Sequence, residues 1–284
     1  MIRYPAVAGL FYPGDEKSLK QAIEQCFKGS RGPGCIPEVK ESKPSTVVSL
    51  IVPHAGLQYS GEVAAHSYAA LAEDGTPHTA VVIGPNHTGI GARIAVSPHT
   101  AWKTPLGEVK VDTKLAEQVV SEAAYAEFDE LAHEREHSIE VQLPFLQYLF
   151  KDQLKIVAIT MMDQSLTAAK DLAQALERTL TPGEHVLIAT SDLTHYEPHD
   201  VAVRKDSEVI DSILRLSAGE IVDAARKRGY TVCGYGAIAT AALYSLKKGV
   251  KRGELLKYST SGDVTGDLYA VVGYAAIAYK KAQL

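Results

Sequence analysis

Cysteine is scarce: the 284 residues contain only Cys26, Cys35 and Cys233. The number is odd and no two are spaced Cys-x-x-Cys, which argues against a disulfide framework or a structural zinc module and leaves at least one thiol free. Cys26 and Cys35 flank a Gly/Pro-rich stretch and can pair if the host is a hyperthermophile, where intracellular disulfides are found. Long apolar runs are missing too. None reaches the roughly 20 residues needed to span a bilayer, and Met1 to Gly14 lacks the basic start and unbroken apolar core of a signal peptide. A cytoplasmic protein with no membrane insertion is expected. Nor is there an excess of positive charge: 29 Lys and Arg face 34 Asp and Glu, for a formal net charge of −5. The basic residues are dispersed except for pairs such as Lys247-Lys248 and Lys280-Lys281, so a nucleic-acid groove is not expected. Internal repeats and low-complexity tracts are lacking. With 46% hydrophobic residues, the chain can bury a large core without staples, and a single domain over 1–284 is expected.

What the chain does have is three short apolar runs that each break, at the C-terminal end, into a polar cluster containing histidine. Residues 45–52 run into Pro53-His54-Ala55-Gly56. Residues 80–83 run into Gly84-Pro85-Asn86-His87-Thr88-Gly89, and 185–189 into Thr190-Ser191-Asp192-Leu193-Thr194-His195-Tyr196. Continuous β-branched runs between helix-like segments read as strands buried on both faces of a mainly parallel sheet. In such sheets ligands sit beyond the carboxyl ends of the strands, so His54, His87 and His195 can converge although they are far apart in sequence. Helical patterns are expected at 15–27, 61–71, 113–123, 138–150, 164–179, 203–216, 218–227 and 233–247. Further strands are expected at 92–96 and 154–160, a hairpin at 100–110, and a terminal antiparallel pair at 254–261 and 269–279. This alternation predicts an α/β fold with a mainly parallel central sheet flanked by helices on both faces.

Neutral imidazole is the commonest protein ligand for transition metals, and a thiolate or carboxylate supplies compensating charge. A single histidine after a strand is more often structural. Two of them framed by small residues, as His54 and His87 are, favour a ligand-binding role, because backbone and ligand can approach closely. Asp192 and His195 sit just past a strand, where the imidazole can act as general base and the carboxylate can equally be a simple cap. His133-Glu134-Arg135-Glu136-His137 formally matches the zinc-protease pattern His-Glu-x-x-His. That pattern needs both imidazoles on one continuous helix, whereas this stretch lies at an expected helix start with Pro144 soon after. Glu136 and Glu140 would share a helical face if the helix began early enough. Cys233, in Thr231-Val232-Cys233-Gly234-Tyr235-Gly236, is expected to open a helix. A thiol there has a lowered pKa suited to metal ligation or redox chemistry, unless it is buried and inert.

Taken together, residues 5–13 (Pro-Ala-Val-Ala-Gly-Leu-Phe-Tyr-Pro), the Pro-His-Ala-Gly and Gly-Pro-Asn-His loops, Glu136-His137-Ser138-Ile139-Glu140, Ser191-Asp192-Leu193-Thr194-His195 and residues 231–236 strongly resemble the Memo family. The resemblance covers nearly the whole chain. It implies the three-layer, phosphorylase/hydrolase-like fold of class III extradiol dioxygenases, which are non-haem iron enzymes. It places His54 and His87 where those enzymes hold two iron-ligating histidines, His195 where they hold an acid-base histidine, and Cys233 where they use a carboxylate. Oxygenase iron normally has two histidines and a carboxylate, and a softer His-His-Cys set favours copper(I), zinc or a redox-poised iron. The resemblance thus implies iron or copper, zinc less so, held by His54, His87 and Cys233. It implies oxidoreductase-like chemistry assisted by Asp192 and His195, in a pocket lined by Glu136, His137, Asn86 and Tyr59. Its alternative is a non-catalytic module whose cleft captures a peptide, phosphopeptide or partner protein, as in the signalling Memo proteins of animals. In prokaryotes the implied partners are an Ammecr-type protein and a radical-SAM protein.

Overall fold

Branched apolar side chains fit a pleated, doubly covered surface, and the runs rich in them form the strands of a computed structural model that describes residues 1–282. In chain order the strands are β1 (Ile2–Arg3), β2 (Val47–Val52), β3 (Thr79–Pro85), β4 (Ile94–Val96), β5 (Ala101–Thr104) and β6 (Gly107–Val111). They continue with β7 (Ala126–Phe128), β8 (Lys155–Met161), β9 (His185–Thr190), β10 (His195–Glu197), β11 (Gly253–Thr260) and β12 (Val271–Lys280). The centre of the sheet runs β6-β8-β3-β9-β2, all parallel. Its margins are mixed: β12 runs antiparallel to β2 and carries β11 and β10, while β5 and β4 run antiparallel to β6 and β8. Thr79 stands opposite both Lys155 and His185, so β3, β8 and β9 begin level. Because they and β2 point the same way, the segments after β2, β3 and β9 leave at one edge.

Alternate residues of the central strands face opposite layers. Val81, Ile83, Leu187 and Ala189 pack with the helices Leu166–Thr179 and Tyr235–Lys247. Ala80, Val82, Val186 and Ile188 pack with Glu16–Lys28, Leu57–Asp74 and Leu143–Phe150. Each fully buried aliphatic side chain contributes roughly 1.5–3 kcal/mol, which drives the three-layer α/β architecture. No helix among the described residues is long and apolar enough to cross a membrane.

The hairpin and the terminal antiparallel pair form where expected, with a short helix, Gly262–Thr265, in the glycine-rich connection. Several boundaries differ, among them the helix expected over 203–216, which runs His199–Leu214. The helix after His54 begins at Leu57 rather than 61. The helix expected over 138–150 is a 3-10 turn at Glu140–Gln142 followed by Leu143–Phe150, with Pro144 in its first turn, where its missing N–H costs nothing. The helix expected to open at Cys233 opens at Tyr235, capped by Gly234. Cys26 is buried, Cys35 is exposed, and the two are unpaired.

Candidate metal centre

Level strand ends bring His54 and His87 together, and the connection after the short helix Leu131–Glu134 adds His137: one potential ligand atom from each lies within 4.8 Å of the other two. The rings of His87 and His137 stack at 4.6 Å, and that of His54 stands edge-on to both at 5.2 and 5.5 Å. Two glycines permit the approach. A Cβ on Gly84 would collide with the Ser138 hydroxyl, and one on Gly234 with the Thr190 carbonyl.

Glu136 organises two of the imidazoles. Its fully buried carboxylate accepts the His87 amide (2.6 Å), His87 Nδ1–H (2.9 Å), and the amides of His137 (2.9 Å) and Ser138 (2.8 Å). Burial pushes this carboxyl up, but the hydrogen bond and charge of His87, the Ser138 amide and the charge of His137 outweigh it and hold it at about 2. With Nδ1 engaged, His87 keeps Nε2 free for a ligand. His54 is held from the other side by Thr190 Oγ1, 2.7 Å from Nδ1, and that hydroxyl also accepts from Gln142 Nε2. Burial, then the neighbouring imidazoles, keep His54 neutral well below its ordinary range, and burial brings His137 down to about 4. Imidazoles oriented by a carboxylate and a hydroxyl are what a metal requires of its histidines. An ion bonded at about 2.0–2.1 Å would draw such donors to roughly 3.4 Å of one another, a small adjustment from the observed spacing. The donor set fits a first-row transition ion.

Cys233 stands behind His54, its Sγ 3.1 Å from Nε2, and accepts the Asp192 amide at 3.1 Å. The lowered thiol pKa expected for a helix start is not found. Cys233 precedes the cap, and desolvation followed by the Asp192 charge pushes the thiol well up. Asp192 accepts the His54 amide at 2.8 Å, and burial raises its carboxyl to about 6 against the opposing His54 amide and His195 charge. His195 donates Nδ1–H to the Thr231 carbonyl at 2.7 Å, which leaves Nε2 as its acceptor. Asp192 and His195 open on a cavity of about 690 Å³ whose wall also includes His54, His87, His137 and Tyr59. Asn86 is turned inward on its own loop, accepting the Thr88 and Gly89 amides and donating to Ile90 O.

The zinc-protease pattern does not form. His133 lies in a short helix that ends at Glu134, is completely buried, and reaches the Ala95 carbonyl through Nε2 at 3.2 Å. Glu136 and Glu140 do not share a helical face either. Glu140 turns the other way, pairs with buried Arg3, and accepts the amides of Ala6 (2.8 Å) and Val7 (3.1 Å) and the Tyr12 hydroxyl. Arg3 also donates to the carbonyls of His133 (3.0 Å) and Glu136 (2.7 Å). This clamp fastens the N-terminal segment to the Glu136–His137 loop and sets Phe11 against the His137 ring at 4.7 Å. Sequence reasoning missed the clamp, and missed Gln142, Leu10, Phe11 and Tyr274 as parts of the site. A lone Arg in an apolar N-terminus was the one available signal.

Comparison with known proteins agrees over the whole length. The Memo-like protein family model matches residues 3–278. MEMO1 family proteins of Methanopyrus kandleri and Methanobrevibacter smithii are each 44% identical, covering 99% of this chain and 100% of their own. One from Sulfurisphaera tokodaii is 44% identical over 98% of this chain and 99% of its own. Among solved structures, the uncharacterized protein JW3007 of Escherichia coli K12 superposes with a TM-score of 0.59 at 13% identity, covering 81% of this chain and 99% of that one, a likeness of fold alone.

Proposed function

The chain belongs to the Memo family, and from that premise we propose that it holds a redox metal, iron or copper, at its strand-end histidines and acts as an oxidoreductase-type protein on a small ligand in the adjoining cavity. The convergence of His54, His87 and His137 over the Glu136 carboxylate carries this reading. His54 and His87 are the ligands common to both ways of completing the site. The reading takes Cys233 as the third, because a thiolate beside His54 Nε2 supplies negative charge and softness that imidazole lacks, and a bound cation favours loss of the thiol proton. Bound there, iron or copper would supply one-electron chemistry. The protein's own groups do the rest. His195 accepts a proton at Nε2, since Thr231 fixes the other nitrogen. Asp192 holds the His54 backbone in place, and Phe11, Tyr59 and Tyr274 wall the cavity against water.

The test is metal content after anaerobic purification and loading with iron(II), copper(I) or zinc. About one equivalent of iron or copper is expected, lost in His54→Ala and His87→Ala. Loss in Cys233→Ser with retention in His137→Ala would fix the thiolate as third ligand, the reverse would fix the imidazole, and no stoichiometric metal in the parent protein would end the reading.

A second reading, a binding module for a peptide or partner protein, is favoured by the cavity mouth. Leu10 and Tyr196 are 73% and 77% exposed there, and Tyr196 is held at a φ of 59°, a strained conformation of the kind that clusters at ligand sites. An Ammecr-type and a radical-SAM protein are the partners to offer first, in a cytoplasmic setting. Capture that survives His54→Ala and His87→Ala supports this reading, and capture abolished with the metal removes it.

A further inference from the structure

We propose that the protein carries a second metal site, for a zinc-class divalent ion, built by His78, Asp112 and His185 at the amino edge of the sheet. One potential ligand atom from each of these residues lies within 4.8 Å of the other two. They belong to the starts of β3 and β9 and to the residue after β6, so they sit at the far end of the same strands whose carboxyl ends carry the His54 cluster. The seven residues of β3 put about 20 Å between the two.

The framework under these side chains is rigid. The amides of His78 and Thr79 both donate to the Glu184 carbonyl, at 2.8 and 3.1 Å, and the Lys155 amide donates to the His78 carbonyl at 2.9 Å. The Asp112 amide donates to the Ile156 carbonyl at 2.8 Å, while its carboxylate caps the helix Thr113–Glu122 through the Leu115 amide at 3.1 Å. Orientation comes from Thr79. Its hydroxyl donates to Asp112 Oδ2 at 2.9 Å and accepts His78 Nδ1–H at 3.0 Å, which leaves the lone pair of His78 Nε2 for an ion. Metal-ligating imidazoles generally have their other ring nitrogen held by a hydrogen bond, as Thr79 holds His78 Nδ1 here.

Two imidazoles and one carboxylate match zinc-type ions and not magnesium or calcium, which take oxygen ligands. Water completes the coordination. The site is structural in character: it lies outside the cavity and ties together the first residues of two parallel strands and the cap of a helix. His185 Nδ1 accepts the Thr181 amide at 3.0 Å. An ion taken by this imidazole displaces that bond, so the Thr181 amide reports occupancy.

Zinc alone is the probe, titrated into the full chain, into a His54→Ala/His87→Ala double variant that lacks the two histidines common to both forms of the first centre, and into His78→Gln and His185→Gln made on that double variant. The double variant is expected to bind one zinc with half-saturation at micromolar concentration and to show a shifted Thr181 amide resonance. His78→Gln and His185→Gln should each weaken this binding at least about tenfold and abolish the shift. The His78 side chain is 52% exposed, so its variant should fold, and an unchanged melting curve without zinc checks that. No zinc on the double variant, half-saturation above about 1 mM, or binding unaffected by both glutamines would overturn the proposal. Because His54 and His87, the two ligands the first centre cannot do without, are already gone, and the outcome is read from the His78 and His185 substitutions, these results are distinguishable from those at the first metal centre.

Discussion

The two edges of the central sheet both gather histidines, with different partners and different degrees of burial. At the carboxyl edge His54 is 1% exposed, and a fully buried glutamate orients the two imidazoles beside it. At the amino edge the His78 side chain is half in water and is steered through a threonine hydroxyl. Burial makes the first cluster dependent on the fold: His54 and His137 are kept neutral, the Glu136 carboxylate must be surrounded by donors, and a buried ion pair has to hold the loop that supplies Glu136 and His137. Exposure makes the second cheap to form and cheap to lose. Substitutions at the carboxyl edge should therefore disturb stability and ligand binding together, and those at the amino edge only ion binding.

The largest separation between the edges should come from Arg3→Ala. It leaves the Glu140 carboxylate buried without its cation, which typically costs about 3–5 kcal/mol, and urea denaturation should show a loss of that order. A loss below about 1 kcal/mol would mean that the Ala6, Val7 and Tyr12 donors hold Glu140 without the arginine.

Acid should act next, and at the carboxyl edge above all. Burial holds His54 well below its ordinary value, His133 at about 3 and His137 at about 4, whereas in the unfolded chain each protonates near about 6.5. Between those limits the unfolded state binds more protons, so stability falls as the pH falls from about 6.5 toward 4, by roughly 1 kcal/mol per pH unit for each such group. Asp192, raised to about 6 from about 3.9 in the unfolded chain, works in the opposite sense from about pH 6 down to about 4 and offsets one of the three there. Denaturant midpoints at pH 7, 6 and 5 measure the sum. A flat profile would show that these imidazoles are not held neutral.

Glu136→Gln keeps the shape and removes the charge beneath His87 and His137. Metal affinity at the carboxyl edge should drop about 10–100-fold, read by competition with a chelator, while zinc binding at the amino edge stays unchanged. An equal loss at both edges would point to a general fault in folding. The smallest effect belongs to His78→Gln, which without metal should lie within about 0.5 kcal/mol of the parent in denaturation.

Much of this was legible before any coordinates. The strands of the sheet centre announced themselves as β-branched runs, because a strand covered on both faces needs no polar alternation, and their histidine-bearing ends marked the site-forming edge. The segment around His133 and His137 was not legible. Two histidines four residues apart, in a match to a metal motif, take opposite fates: His133 enters the core against Trp102 and His137 faces the cavity. The backbone between them is not a continuous helix, because its polar groups are satisfied by Arg3 and Glu136, whose roles depend on residues about 130 and 50 positions away. Asn86 shows the reverse case. It reads as a pocket residue, and its amide turns its own loop, accepting the Thr88 and Gly89 amides and donating to the Ile90 carbonyl.

The sequence by itself determined the α/β alternation, the family and the edge at which chemistry gathers, since these follow from local hydrophobic patterning and from motifs contiguous in the chain. Only the tertiary structure decided which imidazoles meet, that Cys233 stands behind His54 with its thiol pushed up rather than down, and that a second histidine cluster exists at the far edge. Those outcomes rest on strand register, on burial and on hydrogen bonds between residues remote in sequence, which no local pattern encodes.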